Sequence, residues 1–193
     1  MTASTDPRFE LRRAFEQAAL VVKGVTPGQL GQATPCSEFE VSDLLGHLVG
    51  VANRIASIGR GEIQPEELAT PAAVSPEAWS TLFDQAMSEA LTAWRDDALL
   101  TRDLVLPFGT FPGPLVAQIY LLELVVHSWD LAAATGQGSI LDDDLAHGAL
   151  PIAEAMLPPE PRGGEMPFEA VVAVGDDRPI YERLAGYLGR QPA

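Results

Sequence analysis

The sequence predicts an all-α protein: an antiparallel four-helix bundle extended by C-terminal helices and a short extended segment. Three observations carry that prediction. Four long segments place apolar residues at helical spacing and are joined by short or medium connections. The stretch 111–136, FPGPLVAQIYLLELVVHSWDLAAATG, is apolar on nearly every side, as expected of a helix enclosed by others. Helix start and stop signals bracket the segments, among them Asp6-Pro7, Ser75-Pro76-Glu77 and Thr135-Gly136.

The first helix is expected over Asp6 to Lys23, with Asp6 as cap, Pro7 at the first helical position, and Phe9, Ala14, Leu20 and Val21 as apolar positions. Gly24 and the TPG at 26–28 end it. Ser37-x-x-Glu40 has the form of a capping box for a second helix running to about Gly59. Residues 59–76 are Pro-rich and acidic, which suits a surface loop or lid. A third helix follows to about Trp94, then TRDLVLPFGTFPGP, whose Leu104-Val105-Leu106 run fits an extended stretch or small hairpin. Gly136 supplies the C-cap of the central helix. A fifth helix, Asp142 to about Met156, opens with acids that suit a helix N-terminus. Residues 1–157 therefore form the bundle, and 158–193 a linker, an extended PFEAVVAVG and a short helix that pack back on it.

A chain of 193 residues can bury a full core, and 47% hydrophobic with 20% charged residues is the balance of a soluble globule. The net charge of −15 argues against nucleic acid and against an acidic membrane surface, because either demands a basic face. No run of eighteen apolar residues lacks an ionisable group, and the N-terminus is not followed by a secretory apolar core. A cytoplasmic location is expected. The single cysteine, Cys36, rules out a disulfide within the chain; with no histidine marking it as activated, it reads as a small buried hydrophobe.

The central helix carries Glu123, His127 and Asp130 within one narrow arc. Burying such groups costs several kcal/mol unless each finds a partner. Glu123 and His127, one turn apart, can reach a single metal ion. His47 sits at the edge of the Leu44, Leu48, Val51, Ile55 stripe of the second helix and points at the bundle seam, whereas His147 follows an acidic run and reads as solvated. Taken alone, His47 is a core histidine and Glu123/His127 equally a hydrogen-bonded couple. Together they point to a divalent metal. Asp130 suits either a fourth ligand or, as favoured here, a partner that orients a ligand imidazole; Asp43, one turn before His47, suits the same task. Arg54, two turns after His47, and Arg60 are candidates for pairing an anionic substrate, though a solvated role is the simpler one. Tyr120 and Trp129 read as packing residues.

The segment TPCSEFEVSDLLGHLVG resembles the first signature of the mycothiol-dependent maleylpyruvate isomerase and DinB-like superfamily, with Phe39 where tryptophan is commoner. LELVVHSWDL at 122–131 is similar to the group's second signature, and LAGYLGRQP at 184–192 to its C-terminal ending. The resemblance implies a DinB-like bundle whose divalent metal, zinc or nickel, is held at the positions of His47, Glu123 and His127. It also implies mycothiol as thiol cosubstrate, activated by the metal for attack on a small electrophile in a transferase or isomerase reaction. The rival expectation is a non-catalytic metal-binding bundle serving stress response or ligand binding. The expected partners are a small-molecule thiol and an electrophile; any self-association is expected to give a homodimer.

Overall fold

In the computed structural model, residues 6–65, 67–68, 74–160, 162 and 168–192 are described. Among the described residues there are six α-helices and one small hairpin: α1 (Pro7–Gly24), α2 (Val41–Gly59), α3 (Trp79–Ala93), β1 (Asp103–Leu106), β2 (Gly109–Pro112), α4 (Gly113–Thr135), α5 (Asp143–Met156) and α6 (Ile180–Tyr187). The all-α bundle expected from the sequence is present. α1 packs on α4 and α3, and α2 packs on α3 and α4, so the four long helices close a ring. α5 lies against the outer side of α4, and α6 against α5 and α4.

The caps follow local chemistry. The Asp6 side chain accepts the Arg8 backbone N–H at 2.9 Å, and Asp142 accepts that of Asp144 at 3.0 Å, each satisfying a donor the first turn leaves unpaired. Gly136 closes α4 at φ 74°, a left-handed conformation that glycine adopts without the Cβ penalty. The capping box of α2 lies three residues later than Ser37-x-x-Glu40 suggests. Glu40 is the N-cap, and Asp43 accepts its backbone N–H at 3.2 Å. The preceding loop is held to that start by Val41 N–H to Gln32 O and Ser42 N–H to Leu30 O, both 2.9 Å, which leaves Ser37 outside the helix.

The core lies between the four helices. Phe15 of α1 and Phe83 of α3 meet with ring centroids 6.3 Å apart, and Leu44, Leu48 and Ile55 of α2 belong to the same buried cluster as Val116, Leu124 and Leu131 of α4. Each such side chain contributes about 1.5–3 kcal/mol by leaving water. Trp94 donates its indole N–H to Ile55 O at 2.8 Å, tying the end of α3 to α2. α4 is long and apolar enough to cross a bilayer, yet most of it is buried inside the bundle, which accounts for its all-round apolarity.

The stretch after α3 forms the antiparallel hairpin, with Asp103 opposite Pro112 and Leu106 opposite Gly109. Residues 66 and 69–73 of the expected lid, and 161 and 163–167 of the expected linker, lie outside the described residues. Residues 168–175 have no regular secondary structure and run along α6, with Val172 N–H bonded to Gly186 O at 2.9 Å. α6 ends in a Schellman turn: Gly189 N–H reaches Gly186 O at 3.0 Å, Arg190 N–H reaches Ala185 O at 2.9 Å, and Gly189 has φ 86°. That turn swings the chain back toward α4.

Candidate metal centre

The pairing of α2 with α4 brings together the side chains that the sequence singled out. His47 Nε2 lies 3.2 Å from Glu123 Oε1, and His127 Nε2 lies 3.7 Å from the same oxygen. The two imidazoles meet edge to face with centroids 4.6 Å apart, and one donor atom from each of the three residues falls within 4.8 Å of the others. Phe39, in the loop before α2, packs against both rings at 5.0 and 6.2 Å. His127 is buried, while about a third of the Glu123 side chain (32%) is exposed, so the cluster opens on the Glu123 side.

The other nitrogen of His127 is committed. Nδ1 faces Asp130 Oδ2 at 3.0 Å, and Asp130 has no exposed side-chain surface. Arg190, in the turn after α6, closes on that carboxylate through Nε to Oδ1 at 3.3 Å and Nη2 to Oδ2 at 3.0 Å. Burial by itself pushes Asp130 up; the hydrogen bond from His127 and the positive charge of Arg190 outweigh it and hold the carboxyl below its ordinary value. Glu123 behaves alike: burial raises it, while the bond from His47 and the charges of His127, His47 and Arg190 bring it well below the usual carboxylate range.

This donor set fits a divalent cation. In the neutral form of His127 that carries its proton on Nδ1, toward Asp130, Nε2 presents a lone pair toward a carboxylate oxygen that is itself an acceptor. Acceptors gathered this way are stable with a cation or an extra proton among them. Ligands bound to one tetrahedral ion stand about 3.3 Å apart, which the 3.2 and 3.7 Å separations bracket. The carboxylate behind a ligand histidine is a usual means of fixing its tautomer.

The remaining expected residues divide. Asp130 stands against His127. Asp43 does not reach His47: it is exposed, and its carboxylate accepts the Glu40 N–H in the cap of α2, a stronger local claim than a ring one turn away. Arg54 donates to Pro65 O at 2.8 Å, so it anchors the loop after α2. Arg60 pairs with Glu62 and Glu89 on the surface. His147 is exposed and bonded to Asp143 O at 2.8 Å, as a solvated histidine should be. A cavity of about 350 Å³ between Gly61–Gln64 and the hairpin is not lined by His47, Glu123 or His127.

Two residues escaped the sequence reading. Cys36 is half-buried rather than enclosed, and its sulfur lies within 4.8 Å of donor atoms of His127 and Asp130, which corrects the expectation that no histidine stands near it. The turn closed by Phe39 N–H to Cys36 O at 3.0 Å folds the loop over the site. Burial raises its thiol pKa, with Arg190 acting the other way. Arg190 was the second. Its signal was present as Gly189-Arg190-x-Pro192, a glycine C-cap followed by a cation, in a chain whose Asp130 needs a buried partner.

Comparison with known proteins identifies the family. Two relatives from two strains of Mycobacterium tuberculosis, "Uncharacterized protein Rv0738" and "Uncharacterized protein MT0763", are each 32% identical over 185 residues, covering 96% of this chain and 98% of the relative. No solved structure gives a significant match. Residues 11–132, which run from within α1 through most of α4 and include all three candidate ligands, match the domain described as "Mycothiol maleylpyruvate isomerase N-terminal domain". The chain belongs to that family, and its fold is the DinB-like bundle.

Proposed function

We propose that this protein is a metal-dependent thiol transferase or isomerase of the mycothiol type, holding a divalent ion, zinc or nickel, with His47, Glu123 and His127. The observation that carries the reading is the convergence of His47 Nε2, Glu123 Oε1 and His127 Nε2 at 3.2 and 3.7 Å from two facing helices. A divalent ion there supplies Lewis acidity, which makes a thiol available as thiolate at neutral pH.

The chain's own residues prepare that chemistry. Asp130 fixes the His127 tautomer, so Nε2 faces the site with its lone pair. Arg190 neutralises Asp130, which keeps the buried carboxylate ionised. Phe39 packs against both imidazoles, tilted on His47 and edge-on to His127, and so holds the two rings in place. Three protein ligands leave a position for a small molecule, and the partly exposed Glu123 marks the side from which it enters. The thiol cosubstrate in this reading is mycothiol, in keeping with the family. A cytoplasmic location, where small thiols stay reduced, accords with it.

The test has two stages. Metal content is measured on protein purified without chelator, and mycothiol consumption is then followed against a panel of small electrophiles, with metal-loaded and metal-stripped protein. The expected result is about one ion per chain and a thiol conjugate formed only by the loaded protein. Absence of metal, with no thermal shift on adding zinc or nickel, defeats the reading. Metal binding without thiol binding or conjugate leaves the non-catalytic metal-binding bundle as the better account.

A further inference from the structure

Among the described residues, buried side-chain polar atoms are nearly all paired. Tyr181 exchanges bonds with Gln17 and Asp142, Trp94 bonds to Ile55 O, and Ser128 bonds to Leu124 O. Among the described residues only two buried side-chain atoms lack a partner: Trp79 Nε1 and Tyr120 Oη. Tyr120 is 5% exposed. An unsatisfied buried hydroxyl costs about 1–3 kcal/mol, so its presence calls for an explanation.

Position supplies one. Tyr120 precedes Glu123 by one turn of α4, on the stretch of helix that carries the candidate ligands. Arg54 follows His47 by two turns on α2, the helix packed against α4. The phenol's electrostatics agree with this placement: burial raises its pKa most, the Arg54 charge opposes, and the Glu123 charge adds. The phenol thus lies within electrostatic range of both Glu123 and Arg54.

We infer that Tyr120 Oη is a hydrogen-bond donor to an anionic oxygen of the small molecule that occupies this site. The inference rests on the proposed function and gives it a recognition element. A buried donor with no protein partner gains its bond when a ligand brings the acceptor, so that bond contributes to affinity. A carboxylate or an enolate has the required oxygen.

The test compares the unaltered protein with Tyr120→Phe, using succinate as probe and succinamide as its uncharged control. Succinate binding by calorimetry is expected to weaken between about 10- and 100-fold in the variant, the range for a hydrogen bond to a charged group. Succinamide should bind neither protein. With three tyrosines in the chain, ¹³Cζ-tyrosine labelling gives a resonance that Tyr120→Phe removes and that succinate shifts in the unaltered protein. The free variant should be as stable as the parent or slightly more so, because the substitution removes an unpaired hydroxyl. Nickel titration of both proteins keeps the two ideas apart: equal nickel affinity is expected, and failure of the parent to bind nickel counts against the metal centre alone. Absence of succinate binding to the parent, equal succinate affinity in both proteins, or a clear loss of stability in the free variant overturns the inference.

Discussion

Arg190 Nη2 and His127 Nδ1 both meet Asp130 Oδ2, each at 3.0 Å. One oxygen thus joins the turn after α6 to a histidine of the candidate centre. The Arg190 side chain is 11% exposed and Asp130 is fully buried, so removing Arg190 leaves the buried carboxylate with the His127 bond but without its cation. Arg190→Ala should cost about 3–5 kcal/mol in urea unfolding. Asp130→Asn should also destabilise the fold while weakening nickel affinity only modestly, because Asp130 orients a ligand without donating to the ion. A crystal structure of the loaded protein with Asp130 about 2 Å from the metal would reverse that assignment.

Acid sensitivity follows from the same carboxylate. Asp130 has a folded pKa below its unfolded one. Its stabilising contribution is therefore complete above the unfolded value of about 3.9 and disappears as pH falls through the folded one. Urea midpoints of metal-free protein should drop as pH falls below about 4, and Asp130→Asn should flatten part of that drop. An unchanged slope in the variant would assign the acid loss to other groups.

The histidines offer a direct contrast. If the ion stabilises the native arrangement, nickel should raise the melting temperature of the parent. His47→Ala and His127→Ala should abolish the rise, and His147→Ala should keep it, since that ring bonds only its own helix backbone. Comparable losses in all three variants would mean that the wrong cluster was chosen.

Cys36 lies beside the centre, and burial raises its thiol pKa. Iodoacetamide at pH 7 should modify it slowly in the folded protein and quickly in denaturant. Thiol-dependent turnover should survive Cys36→Ser, because the attacking sulfur in the proposed reaction comes from the cosubstrate. Loss of turnover with metal affinity intact would give Cys36 a part in the chemistry.

Gly189 tests how the turn serves the site. A Cβ there would meet Glu169 O at 2.9 Å, and φ is 86°. Gly189→Ala should therefore destabilise the protein and, by displacing Arg190, also weaken nickel binding. Destabilisation with unchanged nickel affinity would separate the turn from the centre.

The sequence disclosed what a single helix can encode. Apolar spacing marked the long helices, and the separations of Glu123, His127 and Asp130 put them on one arc of α4. The Gly136 cap was legible for the same reason. Contacts between elements were not. Periodicity is silent on whether a loop folds over a helix, so Cys36 looked remote. It is equally silent on which of two nearby claims an acid will meet, and Asp43 went to the cap rather than to His47. Arg190 was hidden by distance along the chain, and Tyr120 read as packing because its ring does pack; only the unpaired hydroxyl distinguishes it.

The bonds that define this centre are long in sequence: His47 to Glu123 spans 76 residues, and Asp130 to Arg190 spans 60. During synthesis from the N-terminus, α1 to α4 are made before Arg190 exists, so a nascent bundle would hold Asp130 without its cation. That carboxylate disfavours closure around it until the turn after α6 arrives. Final packing at this end of α4 is thereby coupled to synthesis of the tail, and fragments cut before Arg190 should remain open there and be exposed to proteolysis.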